Sequence, residues 1–206
     1  GNDTSRAELS LQGLCQLLAL RGRDVMTVLI PKLLNSECGS GSSSSGSNGD
    51  ESKKNGLNLF QATTLASISE NTGDIMHHYI NDIMIKLLQT LENMTESGYD
   101  VNLSNAVKSA LRSIIVNCSS EEGLSWTLQE FVHCSIASKS PTLRSVGLWC
   151  LGEFCEHTTI DFDIHISSIA VALIDRFFDK DENVLEAAVS VVMFFIFIIP
   201  GIFFFN

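Results

Sequence analysis

The histidine and cysteine residues are the side chains in this sequence best suited to metal binding or nucleophilic catalysis. His77 and His78 are adjacent, and Asp82 follows His78 by four residues. On a helix, that spacing places His78 and Asp82 on one face, where both could bind the same metal ion. Only one histidine of an adjacent pair can share that face, and no third ligand has a predicted place. We therefore interpret this segment as a solvated helix surface.

A second group of candidates lies further along the chain, where thiols, imidazoles and carboxylates are close in sequence. His133 precedes Cys134. The next run holds Glu153, Cys155, Glu156 and His157. A catalytic cysteine needs a nearby base and a polar, partly exposed setting, whereas these thiols stand among large apolar residues on what should be a core face. We expect no catalytic, cofactor-binding or metal-binding residue, and therefore no enzyme.

Composition and charge argue against nucleic-acid binding. The chain has 206 residues, with 13 Lys and Arg against 24 Asp and Glu, and a formal net charge of −11. Proteins grip nucleic acids through clustered basic side chains that displace counterions from the phosphates. Because the sequence contains no such cluster, we expect no direct DNA binding.

Cysteine usage indicates a reducing compartment. The six cysteines include no C-x-x-C pair and stand mostly in apolar helical stretches, as free thiols do in protein cores. The polar residues 1–6 do not have the pattern of a signal peptide. We therefore expect a cytoplasmic protein without disulfides.

Apolar residues recur at three-and-four spacing along most of the chain, which is the pattern of amphipathic helices. A first pair of helices runs from Leu9 to Leu34 and turns at Arg21 and Gly22. Later pairs begin at Leu57, Asn102 and Ser140, and a last helix opens at Asp181. In the Leu57 pair, Asp74 is the expected N-cap of a second helix that runs to about Asn93. The following helices are expected over residues 102–117, 120–137 and 140–157. This repeat of about 40 residues is typical of HEAT and armadillo solenoids. An ordinary globular helical bundle is the alternative.

The predicted fold is all-α, an α-solenoid of HEAT- or armadillo-like antiparallel helix pairs wound into a right-handed superhelix. Residues 1–38 form a HEAT-like helix pair, residues 39–56 a Gly/Ser-rich flexible insertion, and residues 57–192 the HEAT-like repeats. We interpret three large aromatic residues as packing anchors between helices: Trp126, Trp149 and Phe154.

Residues 193–206 form an apolar tail. The run from Ala187 to Phe205 has no charged residue and is long enough to span a bilayer. Against an anchor, Pro200 and Gly201 interrupt the run, and no Lys or Arg flanks it. The alternatives are a buried terminal helix or sequence read past the true coding region. We expect membrane contact only if residues 187–205 are a genuine anchor.

Three blocks of the sequence carry a family resemblance. They are LQGLCQLLALRGRDVMTVLIPKLL (Leu11 to Leu34), TLASISENTGDIMHHYINDIMIKLLQTL (Thr64 to Leu91) and SPTLRSVGLWCLGEFCEHTTIDFDIHISSIAVALIDRFFDKDENVLEAA (Ser140 to Ala188). In order and spacing these blocks resemble the later HEAT repeats of the giant translational activators named for the general-control-nonderepressible phenotype.

That resemblance implies a function that the residues alone do not. Members of this family are non-catalytic, cytoplasmic scaffolds that bind ribosomes and stimulate the starvation-responsive kinase of eukaryotic initiation factor two. The resemblance therefore implies that this chain has protein partners, namely the ribosome and that kinase. Two alternatives stay open: a generic HEAT or armadillo adaptor, such as a transport or phosphatase scaffold, and a tail-anchored helical membrane protein.

Overall fold

A computed structural model describes residues 2–35, 56–98, 100–117, 121–157 and 166–198. Within these ranges the regular structure is helical, and no strand is present. The helices are α1 (Asn2–Asn35), α2 (Leu59–Thr72), α3 (Ile80–Ser97), α4 (Val101–Asn117), α5 (Glu121–Ala137), α6 (Pro141–His157), α7 (Ile166–Arg176) and α8 (Glu182–Ile198), with a 3₁₀ helix (Gly73–Tyr79) between α2 and α3. Most of the predicted insertion lies outside the described residues.

The helices after α1 are stacked in two layers. In the even layer, α2 packs on α4, α4 on α6, and α6 on α8. In the odd layer, α3 contacts α5 and α5 contacts α7. Contacts such as those of α5 with α6 join the layers. Packing of each helix on the next but one is the arrangement of stacked helix pairs, so the predicted all-α solenoid is confirmed.

The first helical segment breaks where the sequence predicts a turn. Residues 2–35, labelled α1, comprise two helices that meet in a kink at Arg21, whose φ of −142° and ψ of 42° are not helical. The predicted break at Arg21 and Gly22 is therefore confirmed. Next to the kink, Gly22 is buried, and a Cβ added there would lie 2.6 Å from Cδ1 of Ile75. The bare backbone of Gly22 thus lets α1 approach the 3₁₀ helix closely.

Side chains just before three of the even-layer helices satisfy the free N–H groups at the helix starts. Oδ1 of Asn58 accepts from the N–H of Gln61 at 2.8 Å, and Oε1 of Gln61 accepts from the N–H of Asn58 at 2.8 Å. Asp100 begins α4 and Asp181 begins α8 in the same way, each accepting from two backbone N–H groups. Such caps are typically worth about 1 kcal/mol each. The helix predicted to open at Asp181 is confirmed.

The third helix begins later than predicted. The sequence predicts a helix from Asp74 to about Asn93, but residues 73–79 adopt 3₁₀ geometry and α3 starts at Ile80. Tyr79, which precedes α3, makes no side-chain capping bond. Met76 and Ile80 are buried, so packing of this segment against the core, and not a cap, fixes where the α-helix begins.

One continuous core lies between the two layers. Its fully buried side chains come from both layers and include Met26, Leu65, Ile83, Leu87, Leu111, Leu151 and Phe154. Phe154 is therefore a packing anchor, as predicted, and Trp149 packs against this core while staying half-buried. The side chain of Trp126 lies outside the described residues.

The apolar run near the end of the sequence begins inside α8. Val184, Ala188 and Val191 are buried on α8, which packs along α6, and the helix continues to Ile198. Of the described helices, none combines the length and the apolar character needed to cross a bilayer. Residues 199–206 lie outside the described residues.

Truncation of a core anchor tests this packing. Phe154 is 1% exposed, so we expect Phe154→Ala to lower the free energy of unfolding by about 3 to 5 kcal/mol, through lost burial and a residual cavity. Phe178→Ala is the matched control, because that ring is 83% exposed and its removal should change stability by less than about 0.5 kcal/mol. Urea denaturation followed by circular dichroism measures both. Equal effects of the two substitutions would contradict the stacking described above.

Candidate interaction surfaces

The structure separates the candidates for the first metal site. His78 lies in the 3₁₀ helix and Asp82 in α3, so the two do not share one continuous α-helical face. Both side chains are exposed, and the side chain of His77 lies outside the described residues. Within the described ranges, no three His, Cys, Asp or Glu side chains are grouped closely enough to hold a metal ion.

The described cysteines of α5 and α6 are buried thiols. Burial raises the pKa of Cys134 and Cys155 to about 12, and raises the pKa of Cys150 well above its ordinary value. Next to Cys134, Oε1 of Glu130 lies 3.9 Å from the sulfur and raises that pKa further. A neighbouring carboxylate and a dry environment both oppose formation of the thiolate, which is the reactive form. These thiols are therefore poor nucleophiles.

Glu153 and His157 do come together, but around an arginine of the neighbouring even-layer helix. Nε of Arg112 on α4 lies 3.0 Å from Oε2 of Glu153, and Nη2 of Arg112 lies 3.1 Å from Nε2 of His157. No donor is aligned on that oxygen of Glu153, so its contact with Arg112 is an ion pair without a directed hydrogen bond. Because guanidinium only donates, Nε2 of His157 accepts in this arrangement. The cluster links α4 to α6 and brings no base to Cys155.

A buried ion-pair cluster, which we call the Asp179 lock, joins two consecutive repeats. Nε and Nη2 of Arg144 on α6 each donate to one carboxylate oxygen of Asp179 at 2.8 Å, and Nη1 of Arg176 donates to Oδ2 at 2.8 Å. Nη1 of Arg144 also donates to the carbonyls of Ser138 and Lys139. Asp179 precedes α8 and is 4% exposed. The hydrogen bonds from Arg144 hold its pKa at about 2, below the ordinary 3.8.

In the described part of the chain, each layer of the stack carries a groove. The even-layer trough, about 450 Å³, has Val146, Trp149 and Gly152 of α6 as its floor, with Lys108 of α4 and Glu186 of α8 on its sides. Since Lys108 faces Glu186 and Glu153 along the same trough, its lining has no single charge preference. The trough therefore favours no particular class of partner.

The second groove, the odd-layer groove, lies between α3 and α5 and has a volume of about 280 Å³. Its lining combines apolar and acidic side chains: Ile85, Leu88, Gln89 and Glu92 from α3, Glu130, His133, Cys134 and Ala137 from α5, and Ser138 and Leu143 beyond them. No local pattern in the sequence indicates this surface, because Glu92 and Glu130 line one groove only through the packing of α3 on α5.

The raised thiol pKa values predict slow alkylation. In the folded chain at mildly alkaline pH, we expect Cys134, Cys150 and Cys155 to react with iodoacetamide far more slowly than Cys15, which is half-buried near the kink of α1. Mass spectrometry of the labelled peptides measures each site. Rapid labelling of Cys155 in the folded chain would contradict its buried position.

The Asp179 lock predicts an acid-sensitive contribution to stability. Because the folded pKa of about 2 lies below the ordinary 3.8, the lock stabilises the chain fully above pH 4 and loses its effect as the pH falls towards 2. That difference corresponds to about 2 kcal/mol. Asp179→Asn should lower the free energy of unfolding by about 3 kcal/mol at neutral pH, since two arginines lose a buried partner.

The pH dependence separates the charge from the shape of Asp179. Urea denaturation of the original chain and of Asp179→Asn is measured from neutral pH down to pH 2. The difference between their free energies of unfolding should decrease as the pH falls. A difference that stays constant with pH would show that the carboxylate charge contributes nothing to stability.

Comparison with known proteins places this helical stack in a family. The family model described as "Stalled ribosome sensor GCN1-like, HEAT repeats" matches residues 25–196. The eIF-2-alpha kinase activator GCN1 of Saccharomyces cerevisiae is 22% identical over 183 residues, which are 89% of this chain and 6% of that protein. The chain thus spans a small part of that relative's length. No solved structure matches the chain. Because the family model covers most of the sequence and the structure has the stacked pairs it implies, the chain belongs to the GCN1-like HEAT-repeat family of stalled-ribosome sensors.

Proposed function

We propose that this chain is a non-catalytic scaffold segment of a cytoplasmic, ribosome-associated translational activator. In this role the whole protein binds ribosomes and stimulates the kinase that phosphorylates eukaryotic initiation factor two alpha during amino-acid starvation. The family match carries the proposal: the matched family is described as a stalled-ribosome sensor, and the yeast relative is named as an activator of that kinase.

The arrangement of side chains supports a role in binding and not in bond making. The thiols of α5 and α6 are buried, and their pKa values are raised. The His157 imidazole contacts Arg112 and not a cysteine thiol. What the stack does offer is extended surface, because each added helix pair lengthens both layers and their grooves. Surface complementarity is the means by which repeat proteins of this kind recognise partners.

Charge favours basic proteins over bare RNA as the contact of this segment. A net charge of −11 repels phosphates and attracts lysine- and arginine-rich surfaces, and it steers such partners towards the chain. We therefore propose that this segment faces ribosomal proteins.

Sedimentation of the cellular protein tests the proposal. An antibody against residues 121–157 should detect a polypeptide far larger than 22.5 kDa that sediments with polysomes, since the yeast relative is many times longer than this chain. Dissociating ribosomes with a magnesium chelator should shift the signal towards lighter fractions. A parallel membrane flotation is the control, and it should leave the signal at the bottom of the gradient.

A starvation assay tests the second half of the proposal. Cells depleted of the protein and starved of one amino acid should phosphorylate initiation factor two alpha less than undepleted cells. A protein that stays at the top of the gradient while this phosphorylation is unaffected would instead indicate a generic HEAT adaptor. A signal that floats with membranes would overturn the assignment.

A further inference from the structure

The odd-layer groove exposes apolar surface between two helices. α3 and α5 contact each other over only part of their length, and the groove stays open between them. On the α3 side, Ile85 is 38% exposed beside the buried Leu88. Ala137 and Leu143 form the facing wall. The groove's volume of about 280 Å³ leaves room for an apolar side chain from outside.

Two carboxylates flank this apolar gap, one from each helix. Glu92 and Glu130 line the groove, and both act on the same thiol: each raises the pKa of Cys134, with Oε1 of Glu130 3.9 Å from the sulfur. Their negative charges therefore converge on one side of the groove. The described lining thus contains two acidic side chains and one imidazole, that of His133.

We propose that the odd-layer groove binds a lysine- or arginine-rich segment of a protein partner, with one apolar side chain of that segment inserted beside Ile85. The cationic side chains lie against Glu92 and Glu130, and the apolar side chain completes the contact that α3 and α5 leave open. A nucleic acid would set its phosphates against the same carboxylates, so it does not fit. That the partner is a ribosomal protein rests on the proposed function. That its segment is basic and carries an apolar side chain rests on the groove.

The probe for this surface is a short fluorescein-labelled peptide in which several lysines flank one leucine. We expect the full chain to bind it at low ionic strength, as measured by fluorescence anisotropy. Replacing the leucine of the peptide by glycine should weaken binding, because the apolar anchor is lost. A single-stranded RNA of similar length should bind more weakly than the peptide.

Matched charge variants separate the groove from the overall charge of the chain. The double variant Glu92→Gln and Glu130→Gln should weaken peptide binding about tenfold, corresponding to about 0.7 kcal/mol for each lost carboxylate. The control Glu70→Gln and Glu182→Gln removes the same charge from two exposed positions on α2 and α8, outside the groove. It should change the affinity by less than about twofold. Unchanged thermal melting of both double variants verifies that they fold.

Three outcomes would overturn the inference. If both double variants weaken peptide binding equally, the peptide is attracted only by the net charge of the chain. Binding that does not depend on the leucine would show that no apolar side chain of the peptide contributes to the contact. Preferential binding of the RNA would assign the surface to nucleic acid.

A second assay keeps this inference distinct from the proposed function. The same variants are placed in the whole protein and sedimented with ribosomes. If the unmodified protein sediments with polysomes but the peptide assay shows no groove effect, the groove inference fails and the proposed function stands. If the unmodified protein does not sediment with ribosomes, the proposed function fails, and the peptide result decides the groove by itself.

Discussion

Each helix pair in this chain has more apolar surface than its own two helices can cover, and this constraint shapes the whole molecule. α6 illustrates it: Leu148, Leu151 and Phe154 are buried on this helix, which packs on its sequence neighbour α5 and also on α4 and α8. Stacking therefore continues from α2 to α8, and the described buried side chains form one core cluster. The surfaces available to partners are those that stacking leaves open, namely the grooves of the two layers.

Polar contacts then fix how one repeat sits on the next. The Asp179 lock ties the start of α6, the end of α7 and the turn before α8 to a single carboxylate. On the other flank, Arg112 joins α4 to Glu153 and His157 of α6, but its side chain is 53% exposed and this contact contributes less. A buried, bidentate arginine pair has directional geometry that apolar packing lacks. The lock therefore sets the position of α8 and, with it, the far wall of the even-layer trough.

Local patterns in the sequence predict most helix positions. The features that they do not predict depend on contacts between residues distant in sequence. The predicted helices at residues 102–117, 120–137 and 140–157 match α4, α5 and α6 to within one residue, because periodicity and caps are local signals. Arg144 and Asp179 stand 35 positions apart, about one repeat, and their pairing depends on the stacked packing. A comparison of equivalent positions in successive repeats would have suggested this pairing. The late start of α3 likewise depends on the packing of residues 73–79 against the core, which local patterns do not contain.

The central claim is that this stack acts as a scaffold that meets basic protein, and photo-crosslinking on the ribosome tests it most directly. A benzophenone amino acid at His133, an exposed position in the odd-layer groove, can be introduced into the whole protein, which is then bound to ribosomes and irradiated. The account predicts a nuclease-resistant crosslink to a lysine- or arginine-rich protein, absent when the same probe replaces Ser67 of α2. A crosslink to ribosomal RNA, or equal crosslinking from both positions, would contradict it.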